Sequence, residues 1–500
     1  MASNPGSPGS PMPRRGQPVL TPGRAALLAF LLITAVLALT RQALVPYNAT
    51  PEQRHHLFSG DEPEYLLAAF NLAHGQGLTL GLRDKQGFLP PQRLEHIMEG
   101  RWHGGYDYFL TISPELGRAF TRQAWGGDKQ KLVHRPGTSV LLALAAWAGE
   151  RQRWWSYAIL ASLAAGLTAL MVWWAARAGA PAGLALVAGL ACLLSPPALF
   201  YGQQAFPELP QALLLTLAAV LLLRPSGPAA LAAALCLALA PWFSDRALPP
   251  ALFLGLSAWL AAPGRGHKAL VLAILLLDLA GLGTYYYHHL GVPWPRNTHT
   301  VLKASLGYIP LGFLQLFFSG LQGLVFFFPL VGLLPLAAWQ WWRSGWQRRH
   351  CLLWSLAWCA AVAGVAAWED WGGGTCARGR YAVPVQLLTL PAWLAWARLG
   401  FSRRQALALA LLAAWGLAYG AVVALNPKWW FAKFHPIFNL DTRSPLFAWL
   451  PDMAQPSMRA YVLCAAWSLG LVGLNWWLAR GPRPAGPRTG LANCPPAGSA

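Results

Sequence analysis

Long apolar stretches recur along the chain, and they limit its fold more than any other feature. A helix needs about 20 apolar residues to cross roughly 30 Å of hydrocarbon. Such stretches lie near 25–43, 155–176, 182–199, 208–223, 228–243, 248–262, 269–289, 324–342, 351–367, 382–397, 405–425 and 460–478. Hydrophobic residues make up 55% of the 500 residues and charged residues only 11%, under half the charged share of a soluble domain. We therefore predict an all-α polytopic membrane protein with about 12 transmembrane helices.

The ends of the chain differ in composition from the apolar stretches. Residues 1–23, rich in Pro, Gly and Ser, and residues 480–500 predict disordered cytoplasmic tails around a transmembrane domain at 24–479. Residues 25–40 resemble a signal-peptide core, but no small-residue cleavage site follows, so a retained first span is predicted. Residues 138–149 form a further short apolar piece, for which we predict a re-entrant or interfacial helix.

The charged residues predict how the chain is oriented. With the N-terminus inside, the cytoplasmic segments contain sixteen basic residues and no acidic one. These are Arg14, Arg15, Arg24, Arg177, Arg224, Arg265, Lys268, Arg343, Arg348, Arg349, Arg398, Arg403, Arg404, Arg480, Arg483 and Arg488. Of the 18 acidic residues, only Asp278 falls within a span, and the others lie on the outer side. The net charge of +20 therefore indicates topology rather than nucleic-acid binding, and both termini are predicted to be cytoplasmic, in a plasma (inner) membrane.

Four outer loops remain, at 45–136, 290–323, 368–381 and 426–459, and the first contains the densest acidic cluster. The run 59–74 places Leu66, Phe70 and Ala73 at helical spacing, which predicts an amphipathic helix along the outer interface. Asp61 suits the N-cap of this helix, so the acids could act only as caps. The alternative is a carboxylate that takes a proton from an acceptor hydroxyl or holds a divalent metal at the membrane surface.

Four segments of the chain together resemble the signature of the GT-C glycosyltransferases, and in particular the protein O-mannosyltransferases and the lipid A aminoarabinose transferase. The segments are Gly60-Asp61-Glu62-Pro63-Glu64-Tyr65-Leu66, His134-Arg135-Pro136-Gly137, Phe206-Pro207-Glu208-Leu209-Pro210, and Trp371-Gly372-Gly373 with Arg378-Gly379-Arg380-Tyr381. The quoted segments cover 23 positions, spread from the first to the tenth predicted span, and the sequence predicts no soluble C-terminal domain of the kind that better-known members have.

The resemblance implies a GT-C-like fold and a glycosyltransferase. Members of this family transfer a sugar from a polyprenyl-phosphate carrier to an acceptor on the extracytoplasmic side. The aspartate that matches Asp61 is their catalytic acid/base or a metal-associated residue, so Asp61 and the neighbouring Glu62 are the predicted catalytic residues. The implied partners are the donor lipid, an acceptor of unknown class and membrane lipids, and a divalent metal is left open.

Three further groups are candidate substrate-binding residues. Glu208 could be a second carboxylate that contacts the sugar, the acceptor or a metal, or simply an acid at a helix start. Arg378 and Arg380, with Tyr381 beside them, suit a phosphate leaving group because a guanidinium binds it in bidentate fashion. The alternative is that these arginines form only a local salt bridge and that Tyr381 anchors the segment at the membrane interface.

His134 and Arg135 precede a short apolar stretch, and they could hold the phosphate or anchor that stretch at the headgroups. Asp245 and Arg246 are interpreted as an interfacial pair, with a role in the cavity as the alternative. Asp278 supports a different class of protein, a secondary transporter or lipid flippase, because such proteins carry charged groups near the membrane midplane. The alternative is an acid that is neutral or bonded to a neighbouring hydroxyl.

Overall fold

The computed structural model describes residues 20–44, 62–75, 77–78, 83–84, 87–88, 135–147, 152–202, 204–290, 306–319, 323–368, 379–425, 449–451, 453 and 456–480. Within these ranges the chain is helical, apart from one antiparallel pair of two-residue strands, β1 (Arg83–Asp84) and β2 (Gly87–Phe88). The predicted all-α class is confirmed.

In chain order the helices are α1 (Pro22–Leu44), α2 (Glu62–Ala73), α3 (Gly137–Ala146), α4 (Gln152–Arg177), α5 (Ala182–Leu194), α6 (Ala198–Tyr201), α7 (Glu208–Leu221), α8 (Gly227–Leu239), α9 (Leu248–Ala261), α10 (Gly264–Leu290), α11 (Ile309–Phe318), α12 (Leu324–Phe327), α13 (Leu334–Ser344), α14 (Arg348–Ala366), α15 (Ala382–Leu387), α16 (Leu390–Leu399), α17 (Arg403–Leu425) and α18 (Met458–Ala479). Short 3-10 segments cover Ala240–Trp242, Asp245–Ala247, Leu306–Tyr308 and Pro329–Leu333.

Six of these helices are long and apolar enough to cross a membrane: α1, α4, α10, α14, α17 and α18. Each coincides with one of the predicted spans, which confirms a helical membrane protein at this level. The other six predicted spans are built from shorter helices, and three of them are interrupted. The interruptions follow α5, α12 and α15, and a proline lies in or next to each of them, because proline removes a helical hydrogen bond and clashes with the preceding turn.

The interruption after α5 is closed by one buried side chain. Gln386 Nε2 donates to the carbonyl oxygens of Cys192 (2.9 Å) and Ser195 (3.0 Å), and Gln386 Oε1 accepts from the backbone N–H of Ala198 (3.2 Å). The Ser195 carbonyl also accepts from the backbone N–H of Leu199 at 3.2 Å, but Pro196, four residues after Cys192, has no N–H to donate to the Cys192 carbonyl. A broken helix is tolerated in a membrane when neighbouring side chains satisfy such groups, so Gln386 in α15 holds α5 and α6 together.

The short helices refine two predictions about the outer loops. Helix α3 occupies the predicted apolar piece at 138–149, and its 10 residues span about 15 Å, too little to cross the hydrocarbon. Helix α11 lies inside the predicted loop 290–323, where no helix was predicted. Its 10 residues are apolar, but a criterion based on a spanning length does not detect so short a run.

The residues of α2 that are buried within the protein are not the same as its predicted apolar stripe. The helix itself is confirmed, and Leu66 is fully buried, but Phe70 and Ala73 are only partly buried. Tyr65 and Asn71 are buried in their place. The reason is that α2 packs against α3, where Ser139 Oγ donates a hydrogen bond to the Tyr65 carbonyl oxygen at 3.1 Å. The packing partner, rather than the helical stripe alone, selects the buried side.

Two glycines four residues apart allow α17 to approach the end of α5. A β-carbon at Gly416 would lie 2.6 Å from Ser195 Oγ, and one at Gly420 would overlap the carbonyl oxygen of Leu194. Small residues at this spacing let helix backbones come close in a membrane, where dispersion contacts stabilise helix association.

Gly420→Ala is expected to lower the thermal unfolding temperature of the detergent-solubilised protein. The added methyl group would force α17 away from the Leu194 carbonyl, and overpacking of this kind costs about 1–3 kcal/mol. The matched control is Gly470→Ala in α18, where a β-carbon meets no atom within 4 Å and the helix gains propensity. Equal unfolding temperatures for the two variants would contradict the close α5–α17 packing.

Candidate functional site

A buried ion pair joins the start of α7 to the start of α15. Arg380 Nε donates to Glu208 Oε1 at 2.7 Å, and the two side chains are 5% and 4% exposed. Glu208 is the first residue of α7, where the positive end of the helix dipole favours an acid. Because either charge alone would be costly in an apolar interior, the pair fixes two segments that are 172 residues apart in sequence.

Aromatic rings extend this ion pair towards α2. The Arg380 guanidinium lies 4.3 Å from the centre of the Phe206 ring and 5.3 Å from that of Tyr381. Phe206 in turn meets Tyr65 edge-on with ring centres 6.4 Å apart, and Tyr201 at 5.5 Å. Tyr65, which belongs to the acidic segment of the first loop, is therefore adjacent to the residues around Glu208 and Arg380.

The segment before α3 joins the same region from another side. Arg135 Nη2 lies 3.4 Å from Asp245 Oδ2, and its guanidinium stacks 4.2 Å from the centre of the Tyr286 ring. A β-carbon at Gly137 would lie 2.7 Å from the carbonyl oxygen of Trp242. Glycine at this position lets the start of α3 rest directly on the 3-10 turn that contains Trp242.

The expected pair between Asp245 and Arg246 does not form. Asp245 contacts Arg135, whereas the Arg246 guanidinium stacks 3.5 Å from the centre of the Tyr381 ring and 4.8 Å from that of Trp368. The two residues lie in a 3-10 segment, in which successive side chains project about 120° apart. Asp245 and Arg246 therefore reach different neighbours, and the interpretation as an interfacial pair is corrected.

We name these residues the arginine–aromatic cluster. Its members are Tyr65, Arg135, Phe206, Glu208, Asp245, Arg246, Tyr286, Trp368, Arg380 and Tyr381.

The cluster lies at one end of the helix bundle. Tyr286 near the end of α10 contacts Arg135, which lies just before α3, and Trp368 after α14 contacts Arg246, which lies just before α9. Arg246 in turn contacts Tyr381, just before the start of α15. At the other end of α7, about 21 Å away, Arg224 donates to the carbonyl of Arg177, and Arg398 donates to the carbonyl of Ala178. The cluster and this group of arginines therefore lie at opposite ends of the bundle.

The predicted site residues divide into those the structure brings together and those outside it. Arg135, Glu208, Arg380 and Tyr381 all belong to the cluster. Asp61, His134 and Arg378 lie outside the described residues, and of Glu62 only its backbone at the start of α2 is described. Sequence reasoning assigned no function to Tyr286 or Trp368 and only an alternative cavity role to Arg246, because their partners lie far away in the chain.

Buried acceptor oxygens without partners among the described residues lie in the first turn of α7 and just before it. Glu208 Oε2, Gln204 Oε1 and Gln211 Oε1 have no hydrogen-bond partner among the described residues. Glu208 and Gln211, three residues apart, share one face of the helix. A buried acceptor is costly without a donor, so a ligand that carries hydroxyl groups would satisfy these oxygens.

Asp278 in α10 has a protein partner. Its Oδ1 accepts a hydrogen bond of 2.6 Å from Trp242 Nε1, and the Trp242 ring packs on Tyr285 with ring centres 5.8 Å apart. The carboxylate therefore ties α10 to the 3-10 turn after α8. This geometry is that of a tether between elements.

A metal centre would need several ligating side chains close together. In the ranges that the structure describes, no three His, Cys, Asp or Glu side chains are grouped in this way. Asp61 lies outside those ranges, so a divalent metal at Asp61 stays an open alternative, as it was from the sequence.

Comparison with known proteins identifies no relative: no protein-family model, no curated protein and no solved structure matches the chain. The function is therefore inferred from the side chains and their arrangement.

A double-mutant cycle tests the central ion pair. Glu208→Gln and Arg380→Gln should each lower the free energy of unfolding by about 3–5 kcal/mol, because each leaves a buried charge without its partner. The double variant should lose less than the sum of the two, as measured by unfolding in detergent. Arg480→Gln, at an exposed arginine beyond α18, serves as the control, and strictly additive losses would refute the pairing.

Proposed function

We propose that the protein is a membrane glycosyltransferase with a GT-C-like fold and about 12 transmembrane helices. It moves a sugar from a polyprenyl-phosphate carrier to an acceptor on the extracytoplasmic side. One observation carries the proposal: segments that resemble the family signature, although far apart in sequence, contact one another. The contacts run from Tyr65 to Phe206, from Phe206 to Arg380, and from Arg380 to Glu208. Such a convergence is expected of segments that build one site.

Asp61 is the proposed base. Its carboxylate takes the proton of the acceptor hydroxyl as the oxygen attacks the anomeric carbon of the donor sugar. The bond from that carbon to the phosphate oxygen breaks, and polyprenyl phosphate leaves with the electron pair, so the anomeric configuration inverts. Glu62, next in sequence and the first residue of α2, is proposed to assist Asp61. Positioned general bases of this kind contribute about 10²–10⁴-fold to a rate.

Glu208 and Arg380 are proposed to bind and position the substrate. Arg380 holds one oxygen of Glu208, so the other, Oε2, is available to accept a hydrogen bond from a hydroxyl of the sugar or the acceptor. Tyr381 stacks under Arg380 and Arg246 and sets the orientation of both guanidinium planes. In this proposal the ion pair gives the carboxylate a single rotamer, which is the preorganisation that binding a polyol requires.

The remaining predicted residues are assigned to the phosphate side. Arg378 is proposed to contact the phosphate of the donor, and His134 to approach it from the segment before α3. Arg135 is engaged with Asp245 and Tyr286, so its proposed part is to hold the start of α3 against the cluster.

The proposed orientation has the cluster on the extracytoplasmic side of a plasma (inner) membrane and both termini in the cytoplasm. It is supported by the opposite locations of the cluster and of Arg177, Arg224 and Arg398 along α7. Basic residues favour the cytoplasmic side of a membrane.

Asp61→Asn is expected to reduce sugar transfer by about 10²–10⁴-fold, because an amide cannot take the acceptor proton. Transfer would be measured with membranes that contain the protein and a labelled polyprenyl-phosphate sugar pool. Asp84→Asn, an acid of the same loop outside the acidic segment, is the matched control and should transfer at the wild-type rate. An Asp61→Asn protein that is inserted normally and transfers at that rate would remove Asp61 from the mechanism.

Asp278→Asn separates this proposal from a transporter or flippase. Asparagine still offers an oxygen to Trp242 Nε1, so a transferase in which Asp278 only tethers α10 should keep full transfer activity. A transporter that uses the charge would lose uptake into proteoliposomes. Uptake that survives Asp61→Asn but fails in Asp278→Asn would favour the transporter class.

A further inference from the structure

In the arginine–aromatic cluster, two of the three arginines contact a carboxylate and the third does not contact one among the described residues. Arg135 contacts Asp245, and Arg380 contacts Glu208. The Arg246 guanidinium makes no ion pair with any residue that the structure describes, and its Nε atom is buried without an acceptor among them. The described part of the cluster therefore carries one positive charge in excess, and that charge is on Arg246.

The described neighbours of Arg246 contact the face of its guanidinium group and leave the N–H groups at its edge without acceptors. Tyr381 stacks on the guanidinium at 3.5 Å, and Trp368 lies 4.8 Å away. The N–H groups of a guanidinium radiate in its plane, so aromatic stacking stabilises the cation without using its donors. An arginine held in this way presents a planar fork whose geometry matches the oxygens of a phosphate.

The neighbouring arginine is less available for this task. Arg380 has only 5% of its side chain exposed and donates its Nε–H to Glu208. Arg246 is partly exposed, and both guanidinium groups share the ring of Tyr381. Of the two, Arg246 therefore has the donors and the uncompensated charge that an anion needs.

We infer that Arg246 is the anion-binding residue of the cluster and binds a phosphate ester through the edge of its guanidinium. The inference rests on the proposed function for the identity of that ester, the phosphate that links the sugar to its lipid carrier. Arg246 then stabilises the negative charge that grows on the phosphate as the sugar bond breaks. Arg380 is a positioning residue that holds Glu208, and Tyr381 is the platform on which Arg246 stacks.

Isothermal titration of the full chain in maltoside detergent tests the inference. The probes are farnesyl phosphate, inorganic phosphate and phosphatidylglycerol, with farnesol as the uncharged control. Wild-type protein is expected to bind at least one of the three phosphates and not farnesol. Binding of farnesyl phosphate alone would identify a prenyl carrier as the ligand. Binding of inorganic phosphate would identify a free anion, and binding of phosphatidylglycerol would identify the headgroups of bilayer lipids. Absence of binding to all three overturns the inference.

Arg246→Gln is expected to weaken that binding by roughly 10- to 100-fold, since a hydrogen bond to a charged group is lost. Arg246→Lys keeps the charge but loses the planar fork, so its affinity for the probe should lie between that of the wild type and that of Arg246→Gln. Arg480→Gln is the matched control, because Arg480 also stacks on a tryptophan, at 3.4 Å from Trp476, but lies outside the cluster. Unchanged affinity in an Arg246→Gln protein of normal unfolding temperature would overturn the inference.

Binding of these probes needs no turnover, so the outcome is separable from that of the proposed function. If the protein binds phosphate through Arg246 but transfers no sugar, the inferred anion site is supported and the proposed transferase function is rejected. If the protein is an active transferase and its Arg246→Gln variant binds phosphate like the wild type, only the inferred anion site is rejected.

Discussion

The buried contact between Glu208 and Arg380 is the interaction on which the rest of this end of the molecule depends. An acid and a guanidinium that are nearly sealed from solvent are tolerated only because each neutralises the other. Their contact ties the start of α7 to the start of α15, and with them the rings of Phe206 and Tyr381. Tyr65 of the first loop packs against Phe206, so α2, which is held by α3, is also connected to this pair.

The apolar environment explains why the polar chemistry gathers at the helix ends. Inside a bilayer every backbone group needs a partner within the protein, and the structure meets this need with side chains such as Gln386 where a helix is broken. Charged residues are costly in the same interior. In the described ranges Asp278 is an exception part way along α10, and Trp242 donates a hydrogen bond to it. In the described ranges, ionisable groups such as Glu208 and Arg380 therefore collect where α7 and α15 begin.

Three arginines in the cluster have different parts because they have different partners. Arg135 and Arg380 each contact a carboxylate, and such pairs are rigid and hold the segments around them. Arg246 is held by the rings of Tyr381 and Trp368 instead. Aromatic stacking restrains a guanidinium without neutralising it, so the cluster combines a rigid frame with one cation that can respond to an anion.

The sequence alone determined the class of protein, because the length and number of apolar stretches leave a helical membrane protein as the outcome. It also placed Glu208 and Arg380 among the candidate residues, because a carboxylate at the mouth of a span is costly unless it faces protein or water and a guanidinium suits a phosphate. The pairings were decided only by the tertiary structure. A 3-10 turn directs Asp245 towards Arg135 and leaves Arg246 to stack on Tyr381, and packing against α3 selects the buried face of α2. Side-chain direction and helix packing, rather than spacing in the chain, decide which of these residues meet.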